Sequence, residues 1–258
     1  MSSRRQLLQS LSTVLLSGGA PGAWAADAFQ MAYFETYSPL SFMEGGNLRG
    51  LLVDTLEAVL HKRLGFACQH EGLPWPRAQA MVERGERDAI CTIATPERLV
   101  YAIAASEPVI TAPTCIYLHA DHPRANEFAS ARNLEELRAM KPEVVSYSAN
   151  GWAKAKLAGF NVVWGNDFNS AVKMLISRRG DMVIENMLVM SYTLARTPGG
   201  ERIRLLRNRM DQANFQLLVS RKSHLADRVP EISRAIAAYK DSPQYAAIFG
   251  RYGVPYMA

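Results

Sequence analysis

Apolar and polar positions alternate along the chain in a strand-then-helix order. The runs FQMAYF (29–34) and FACQHEG (66–72) are typical of strands, and GLLVDTLEAVLHKRLG (50–65) between them has the period of a helix. Four apolar residues share one face of that helix: Leu52, Leu56, Val59 and Leu60. Gly65 marks its end. This order predicts a βαβ unit.

The same alternation continues to the end of the chain. The next helix and strand are PRAQAMVERGE (76–86) and DAICTIA (88–94), a second series is PEVVSYSA (142–149), FNSAVKMLISRRG (168–180) and DMVIEN (181–186), and the tail is FQLLVSR (215–221), RVPEISRAIAAYK (228–240) and PQYAAIFGRYG (243–253). Alternating strands and helices predict the α/β class, with mixed, mostly parallel sheets flanked by helices. Two such series predict two lobes, and we expect the chain to cross between them near residues 114–119 and 206–215.

Composition narrows the class of protein. The chain has 258 residues, of which 48% are hydrophobic and 21% charged, with a net charge of +5, as in a globular protein of one or two domains. The basic residues are dispersed and lack interleaved aromatics, which argues against nucleic-acid binding. The densest basic cluster is Arg202, Arg204, Arg207 and Arg209. We interpret it as a solvated edge or connecting segment rather than a docking patch.

The first 25 residues have the pattern of a bacterial export signal. Arg4 and Arg5 precede the apolar run 11–16, and Ala23-Trp24-Ala25 is a small-residue cleavage pattern. Cleavage after Ala25 and a periplasmic location are therefore predicted. The paired arginines fit either a twin-arginine signal or a general secretory signal, and both routes stay open.

Cysteine and histidine spacing gives no metal or cofactor motif. Cys68, Cys91 and Cys115 are an odd number without metal-type spacing, and we expect three unpaired thiols in strands. His119 and His122 have a short gap but no third ligand, which favours a loop over a metal site. We predict no cofactor.

A charge mismatch occurs in TPERLV (95–100). Thr95-Pro96-Glu97 is typical of a helix start, with Thr95 as the capping side chain. Arg98 then places a cation near the positive end of that helix, which is unfavourable unless an anion lies nearby. One interpretation is that Arg98 faces an anionic ligand, and the other is that it faces solvent and pairs with Glu97.

Four segments occur along the chain in the order YSPLSFMEGGNLRGLLVDTLEAVL, PWPRAQAMVERGERDAI, TPERLVYAIAASEPV and DMVIENMLVMSYTL. Together they resemble the bacterial family 3 extracellular solute-binding proteins, the amino-acid-binding branch of the periplasmic receptors for ABC importers. The resemblance covers almost the whole chain after residue 25 and implies a two-lobed fold with a ligand cleft between the lobes. It places residues 26–116 and 214–258 in lobe 1 and residues 117–213 in lobe 2.

The resemblance also implies a binding face on lobe 1. The arginine that matches Arg98 holds the ligand's α-carboxylate in this family, and Thr95 assists it. Tyr37 matches an aromatic residue that packs on the ligand, and its alternative is a turn residue before Ser38-Pro39. Trp75 is a candidate pocket wall or a core residue, and Thr92 is a candidate hydroxyl donor or an ordinary strand residue.

On lobe 2 the resemblance implies a loop and a strand end. Ser148, Ala149 and Asn150 occupy the loop in which the family's backbone amides and hydroxyl meet the carboxylate. The family's ammonium-binding aspartate corresponds to Asn186, and Glu185 precedes it. Neighbouring strand residues face opposite sides, so either Glu185 takes over by a shift of register or the ligand is not an ordinary α-amino acid.

The implied function is capture of a small carboxylate-bearing ligand, amino acid or related compound, by a monomer that an ABC permease of the inner membrane recognises. Two alternatives stay open. One is an orphan or sensory binding protein. The other is an enzyme similar to cyclohexadienyl dehydratase, in which Glu185 would protonate a leaving hydroxyl.

Overall fold

The computed structural model describes residues 28–148 and 150–256, so the predicted export signal lies outside it. The strands are β1 Phe29–Phe34, β2 Thr36–Tyr37, β3 Ser41–Glu44, β4 Asn47–Arg49, β5 Cys68–Leu73, β6 Ala89–Ile93, β7 Ala102–Ala104, β8 Ile110–His119, β9 Glu143–Tyr147, β10 Asn161–Gly165, β11 Met182–Asn186 and β12 Ile203–Ser220. The helices are α1 Leu51–Leu56, α2 Trp75–Arg84, α3 Pro96–Tyr101, α4 Ala125–Phe128, α5 Leu134–Ala139, α6 Gly151–Lys156, α7 Phe168–Ile176, α8 Met187–Leu194, α9 Val229–Lys240 and α10 Pro243–Tyr252. All the strands and helices expected from the sequence pattern are present. Most differ from the expected bounds by a few residues at their ends, and the strand expected at 215–221 begins already at Ile203 as part of β12.

Helix α1 continues as a wider π-helical segment, Glu57–Arg63. The two together correspond to the single helix that the sequence predicts for residues 50–65, and Leu52, Leu56, Val59 and Leu60 are all buried in the core. Gly50 lies just before α1 with a φ of 140°, and a Cβ there would be 2.3 Å from the carbonyl oxygen of Leu40. Only glycine fits this close approach of two chain segments.

The main sheet has the strand order β10-β9-β11-β8-β12-β6-β1-β5, and β7 also pairs with β12. Pairing is parallel at both ends, in β10-β9-β11 and in β6-β1-β5. It is antiparallel in the middle, where β8 and β12 pair with each other and with their outer neighbours. The mixed α/β architecture predicted from the sequence is therefore confirmed.

Strands β8 and β12 belong to both halves of the sheet. Residues 110–115 of β8 pair with residues 209–215 of β12, and this pairing has register shifts between Leu205 and Arg209 and between Arg209 and Asp211. The sequence suggested a separate sheet for each lobe, but the two halves belong to one sheet that continues through β8 and β12 across these irregularities. The reason is that each crossing strand is long enough, at ten and eighteen residues, to pair in both halves.

The buried apolar side chains nevertheless separate into two groups. One group comes from residues 29–112 and 215–254, with Leu188 and Val189 of α8 added. The other comes from residues 115–210 and covers both faces of β8, β9 and β11. Each end of the sheet therefore has its own core, and α8 contacts both.

The helix start predicted at Thr95-Pro96-Glu97 is confirmed by α3. The sequence interpretation missed the small sheet β2-β3-β4, the short helices α4 to α6, strand β10 and helix α8. Most are too short to show a period, and α8 is apolar on all sides because it is buried.

The basic cluster lies largely on β12, where Arg204, Arg207 and Arg209 are exposed. The three cysteines are unpaired and lie in β5, β6 and β8. Among the described helices, none has the length and apolar character needed to cross a membrane.

Candidate functional site

One candidate surface lies on the first half of the molecule, where β1 and β6 end. Beyond β1 the chain turns into β2, and the Tyr37 ring packs between Phe34 and Phe215, with ring centroids 6.1 and 6.3 Å away. Trp75, at the start of α2, contacts Phe34 from the other side with a centroid distance of 6.1 Å. These four rings form a continuous aromatic wall. Tyr37 and Trp75 are both partly buried in it, so each predicted pocket residue also has a packing role.

Arg98 lies at one end of this wall. Its guanidinium lies over the Trp75 ring, 5.2 Å from the centroid, and donates from Nε to Gln79 Oε1 at 3.0 Å and from Nη1 to the Ile93 carbonyl at 2.8 Å. Within the described residues no carboxylate forms an ion pair with it. Partial burial lowers the pKa of Arg98. The side chain is thus held by neutral groups, and among the described residues its charge has no ion-pair partner.

The start of α3 differs from the sequence expectation in one detail. Thr95 is the N-cap residue in extended conformation, but its side chain makes no bond to a helix N–H. Its hydroxyl instead hydrogen-bonds Glu97, which lowers the pKa of that carboxyl. The prediction that the Thr95 side chain caps the helix is wrong, because its oxygen accepts no hydrogen bond from the first N–H groups of α3. Glu97 is consequently engaged by Thr95 rather than by Arg98.

Gln79 is a site residue that the sequence interpretation missed. It lies four residues after Trp75 on α2, so the two side chains share a helix face and reach Arg98 together. This spacing was visible in the sequence and would have identified it. Thr92 lies in β6 opposite Gln216 and is partly buried. It lies on the strand that supplies Ile93, but no bond from its hydroxyl is seen.

The second candidate surface is the end of β11, where both residues in question are buried. Glu185 is 7% exposed and Asn186 is 3% exposed. Glu185 Oε1 accepts from the Asn186 backbone N–H at 2.8 Å, and Oε2 accepts from Asn150 Nδ2 at 3.4 Å. Burial raises the pKa of Glu185 to about 7, and hydrogen bonds from the Asn186 N–H and the Tyr147 hydroxyl limit that rise.

Tyr147, at the end of β9, was missed from the sequence because it lies just before the loop that drew attention. Burial raises its pKa strongly, and the charge of Glu185 adds to this. Its ring packs on Phe168, with centroids 5.5 Å apart, and Phe168 also contacts the core of the first half. Tyr147 is therefore an integral part of this surface.

Of the two described residues in the predicted loop after β9, Ser148 and Asn150, only Asn150 contributes to this surface. Asn150 caps α6 by accepting from the Ala153 N–H at 3.0 Å, and it reaches Glu185. Ser148 is exposed, and both of its donors are already used, the N–H by the Gly165 carbonyl and Oγ by the Asn166 carbonyl. Ala149 lies outside the described residues. The structure thus brings Asn150, but not Ser148, to the carboxylate.

The two surfaces meet at Tyr37. Burial raises the pKa of Tyr37 strongly, and the negative charge of Glu185 contributes to the shift. Tyr37 also contributes to the raised pKa of Tyr147, and Phe42 of the first half contacts Tyr192 of α8 with a centroid distance of 5.9 Å. Tyr37, Tyr147, Asn150, Glu185 and Asn186 consequently form one group, which we call the junction cluster. Arg98 and Trp75 lie further along the aromatic wall.

His119 and His122 lie apart from the junction cluster. His119 contacts Asp121 at 2.5 Å, and His122 bonds Asp181 through Nε2 and accepts from the Arg124 N–H through Nδ1. Both nitrogens of His122 are therefore used to shape the loop after β8. No group of three metal-ligating side chains is found among residues 28–148 and 150–256.

Comparison with known proteins identifies one family. The sequence model of the bacterial extracellular solute-binding proteins, family 3, matches residues 29–255. Among curated protein sequences, none matches this chain significantly.

Solved structures with the same fold include an amino-acid-binding protein, a sensor domain and an ancestral protein. The arginine-, lysine-, histidine-binding protein ArtJ from Geobacillus stearothermophilus is 18% identical, with a TM-score of 0.63 over 88% of this chain and 96% of that one. A histidine kinase sensor domain similar to periplasmic binding proteins has 18% identity and a TM-score of 0.67, covering 88% and 96%. The ancestral amino acid-binding protein AncCDT-1, a precursor of cyclohexadienyl dehydratase, has 17% identity and a TM-score of 0.65, covering 88% and 95%. At such identities the likeness establishes a two-lobed periplasmic binding protein-like fold.

Proposed function

Because the chain belongs to the bacterial extracellular solute-binding proteins of family 3, we propose that it captures a small carboxylate-bearing ligand between its lobes. The observation that carries this proposal is Arg98. A half-buried guanidinium that is aligned by Gln79, Ile93 and Trp75 but lacks an anionic partner is ready to bind a carboxylate. The ligand would lie along the aromatic wall, between Arg98 and the junction cluster.

We place the lobe boundaries where the two cores separate. Lobe 1 is residues 26–116 and 214–258, and lobe 2 is residues 117–213, so that β8 and β12 form the hinge. A ligand held first by lobe 1 would gain contacts with lobe 2 only on closure. That difference in binding free energy shifts the hinge equilibrium toward the closed form. Tyr37 from one lobe and Glu185 from the other are the groups whose approach would complete the site.

The biological setting follows from the family. We propose export to the periplasm with cleavage after Ala25, a monomeric protein, and recognition of the closed form by an ABC permease. Intact-mass measurement of the exported chain tests the cleavage site. Replacing Arg4 and Arg5 by lysine tests the route, because a twin-arginine signal should fail after this change while a general secretory signal should still function.

The binding proposal is tested by thermal shift with acids and their amides. Each acid is compared with its amide, which shows whether binding requires a carboxylate. The acids are L-glutamate, succinate and 3-phenylpropanoate. We expect at least one acid to raise Tm while its amide does not. Arg98→Lys should then weaken binding about ten- to hundredfold, because an ammonium cannot reproduce the two-pronged bond, which contributes roughly 1.5–3 kcal/mol.

The matched control is Arg77→Lys, an exposed arginine on α2. It should leave binding unchanged. Stabilisation by amides as well as by acids, or equal binding by the wild type and Arg98→Lys, would contradict the assignment of Arg98.

A second candidate function is supported by Glu185. A buried carboxyl with a pKa of about 7 retains a proton near neutrality and can act as a general acid. An enzyme similar to cyclohexadienyl dehydratase would use that proton to release a hydroxyl from its substrate. Consumption of a bound ligand, followed by mass spectrometry and abolished in Glu185→Gln, would favour this enzyme over a binding protein. A stable ligand with no permease dependence would instead favour a sensory or orphan receptor.

A further inference from the structure

The amide of Asn186 has a fixed orientation. Its Oδ1 accepts from the backbone N–H groups of Leu188 at 2.9 Å and Val189 at 3.3 Å, so that it caps α8. The reverse orientation would place an NH₂ donor against two N–H donors, which the hydrogen-bond pattern excludes. The remaining group, Nδ2, is buried and has no hydrogen-bond partner in the described part of the protein. Asn186 therefore presents an unused donor on the side of its amide that faces away from the helix.

This donor lies where the two lobes meet. The Asn186 backbone N–H is bonded to Glu185, and Leu188 and Val189, which follow it, pack into the core of lobe 1. Asn186 also lies opposite Thr114 of the crossing strand β8. A buried donor without a partner lowers stability, so a ligand atom that accepts its hydrogen bond would strengthen binding.

Glu185 is a poor alternative for binding an ammonium group. Its Oε1 accepts from the Asn186 N–H at 2.8 Å, and its Oε2 accepts from Asn150 Nδ2 at 3.4 Å. Those bonds hold its carboxyl inside lobe 2. A ligand ammonium at this end of the site would meet the Asn186 donor, and at Glu185 it would share the carboxyl with the two protein donors already bonded there.

We propose that the ligand is a carboxylic acid without an α-ammonium group, in the class of dicarboxylates, hydroxy acids and oxo acids. Its carboxylate meets Arg98, and an oxygen that accepts a hydrogen bond meets Asn186 Nδ2. This inference rests on the proposed function, because it assumes that the ligand lies between Arg98 and the junction cluster. Asn186 is then the residue that favours ligands with a hydrogen-bond-accepting oxygen at this position over ligands with an ammonium group there.

The test uses pairs of acids that differ by one amine. Succinate with L-aspartate, 2-oxoglutarate with L-glutamate, and 3-phenylpropanoate with L-phenylalanine are compared by thermal shift and by calorimetric titration on the purified protein. For the pair that binds, we expect the wild type to prefer the acid without an amine by about tenfold or more, because a site that mismatches a polar group rejects it strongly. Asn186→Asp should reverse that preference, since aspartate caps α8 equally well and presents an acceptor.

Two further variants keep the outcome interpretable. Asn186→Ser retains a capping oxygen but removes the amide donor, so binding should weaken for both members of the pair and the preference should disappear. Asn133→Asp is the matched control, because Asn133 caps α5 in the same way, at 2.9 Å from the Glu136 N–H, on an exposed surface. It should change neither affinity nor preference.

The outcomes separate this inference from the function on which it rests. If amino acids bind the wild type as well as or better than their amine-free counterparts, or if Asn186→Asp leaves the preference unchanged, the donor assignment is overturned while carboxylate capture stands. If no acid in any pair raises Tm, both the carboxylate proposal and this inference are rejected.

Discussion

Arg98 on lobe 1 and Glu185 on lobe 2 carry opposite charges in different surroundings. Arg98 is half exposed, lies over an aromatic ring and bonds neutral oxygens, so it keeps its charge although partial burial lowers its pKa. Glu185 is almost fully buried, and three protein donors only partly compensate for the water it has lost. A change of pH near neutrality should therefore change the charge of Glu185 on the lobe 2 side of the proposed cleft. Arg98, on the lobe 1 side, should stay charged across the physiological range.

The largest expected effect is the pH dependence of stability due to Glu185. The folded pKa of about 7 lies above that of an unfolded glutamate, about 4.3. The stability associated with the protonated carboxyl is therefore fully present below about pH 4.3 and is lost as pH rises through 7. That loss amounts to about 3 kcal/mol by pH 8. Glu185→Gln should abolish it, so the Tm of this variant should fall much less than that of the wild type between pH 5 and pH 8.

Glu135→Gln, an exposed change on α5, is the control for the loss of one carboxylate. It should follow the wild-type pH profile. If the pH profile of Glu185→Gln coincides with that of the wild type, Glu185 does not cause the pH dependence of stability, and the expected difference between Arg98 and Glu185 is contradicted.

A smaller effect is expected at Tyr147, whose hydroxyl stabilises the charged form of Glu185. Tyr147→Phe should raise the pKa of Glu185 further and should lower stability at pH 8 by about 1–2 kcal/mol, with a smaller loss at pH 5. Urea unfolding at both pH values measures this. Tyr192→Phe, on the same lobe, is a comparison variant that should lack the pH dependence, and equal losses at the two pH values for Tyr147→Phe would assign Tyr147 a packing role alone.

The smallest effect concerns Arg98 in the protein without ligand. The charge mismatch in the sequence suggests that Arg98→Ala would slightly raise Tm. The structure leads to the opposite expectation, since the change removes two hydrogen bonds and a cation–π contact that outweigh the contact with the helix dipole. We expect a loss of about 0.5–1 kcal/mol, because the site is half exposed. An increase in Tm would instead show that the unfavourable contact with the helix dipole outweighs the hydrogen bonds and the cation–π contact of Arg98.

The fold was predictable from the sequence wherever period and composition act locally. The βαβ units at residues 29–94 and 142–186 are examples, because each long helix has one apolar face and each strand is a short apolar run. The continuity of the sheet was not predictable, since the length of β12 depends on pairing with β8, β6 and β7, which are distant in sequence.

The site was predictable in type and less so in arrangement. The sequence identifies candidate ligand-binding side chains near the ends of strands and the starts of helices, namely Arg98, Trp75, Tyr37 and Glu185. Which of Glu185 and Asn186 has a free polar group is decided by the start of α8, a helix that shows no amphipathic period. That arrangement depends on tertiary contacts, so no spacing rule could have given it.

The place of β12 in the sheet also governs how the molecule can be made. Residues 215–219 pair with β6 and residue 215 with β8, so the interior of lobe 1 is completed by a segment synthesised after all of lobe 2. As the chain leaves the ribosome, β1 can pair with β5 and β6, but the other edge of β6 stays open for more than a hundred residues. Such sequence-distant pairing slows folding and leaves an exposed strand edge in the meantime. A chain ending before residue 215 would therefore lack an internal strand rather than a tail, and we expect it to be recovered as an aggregate.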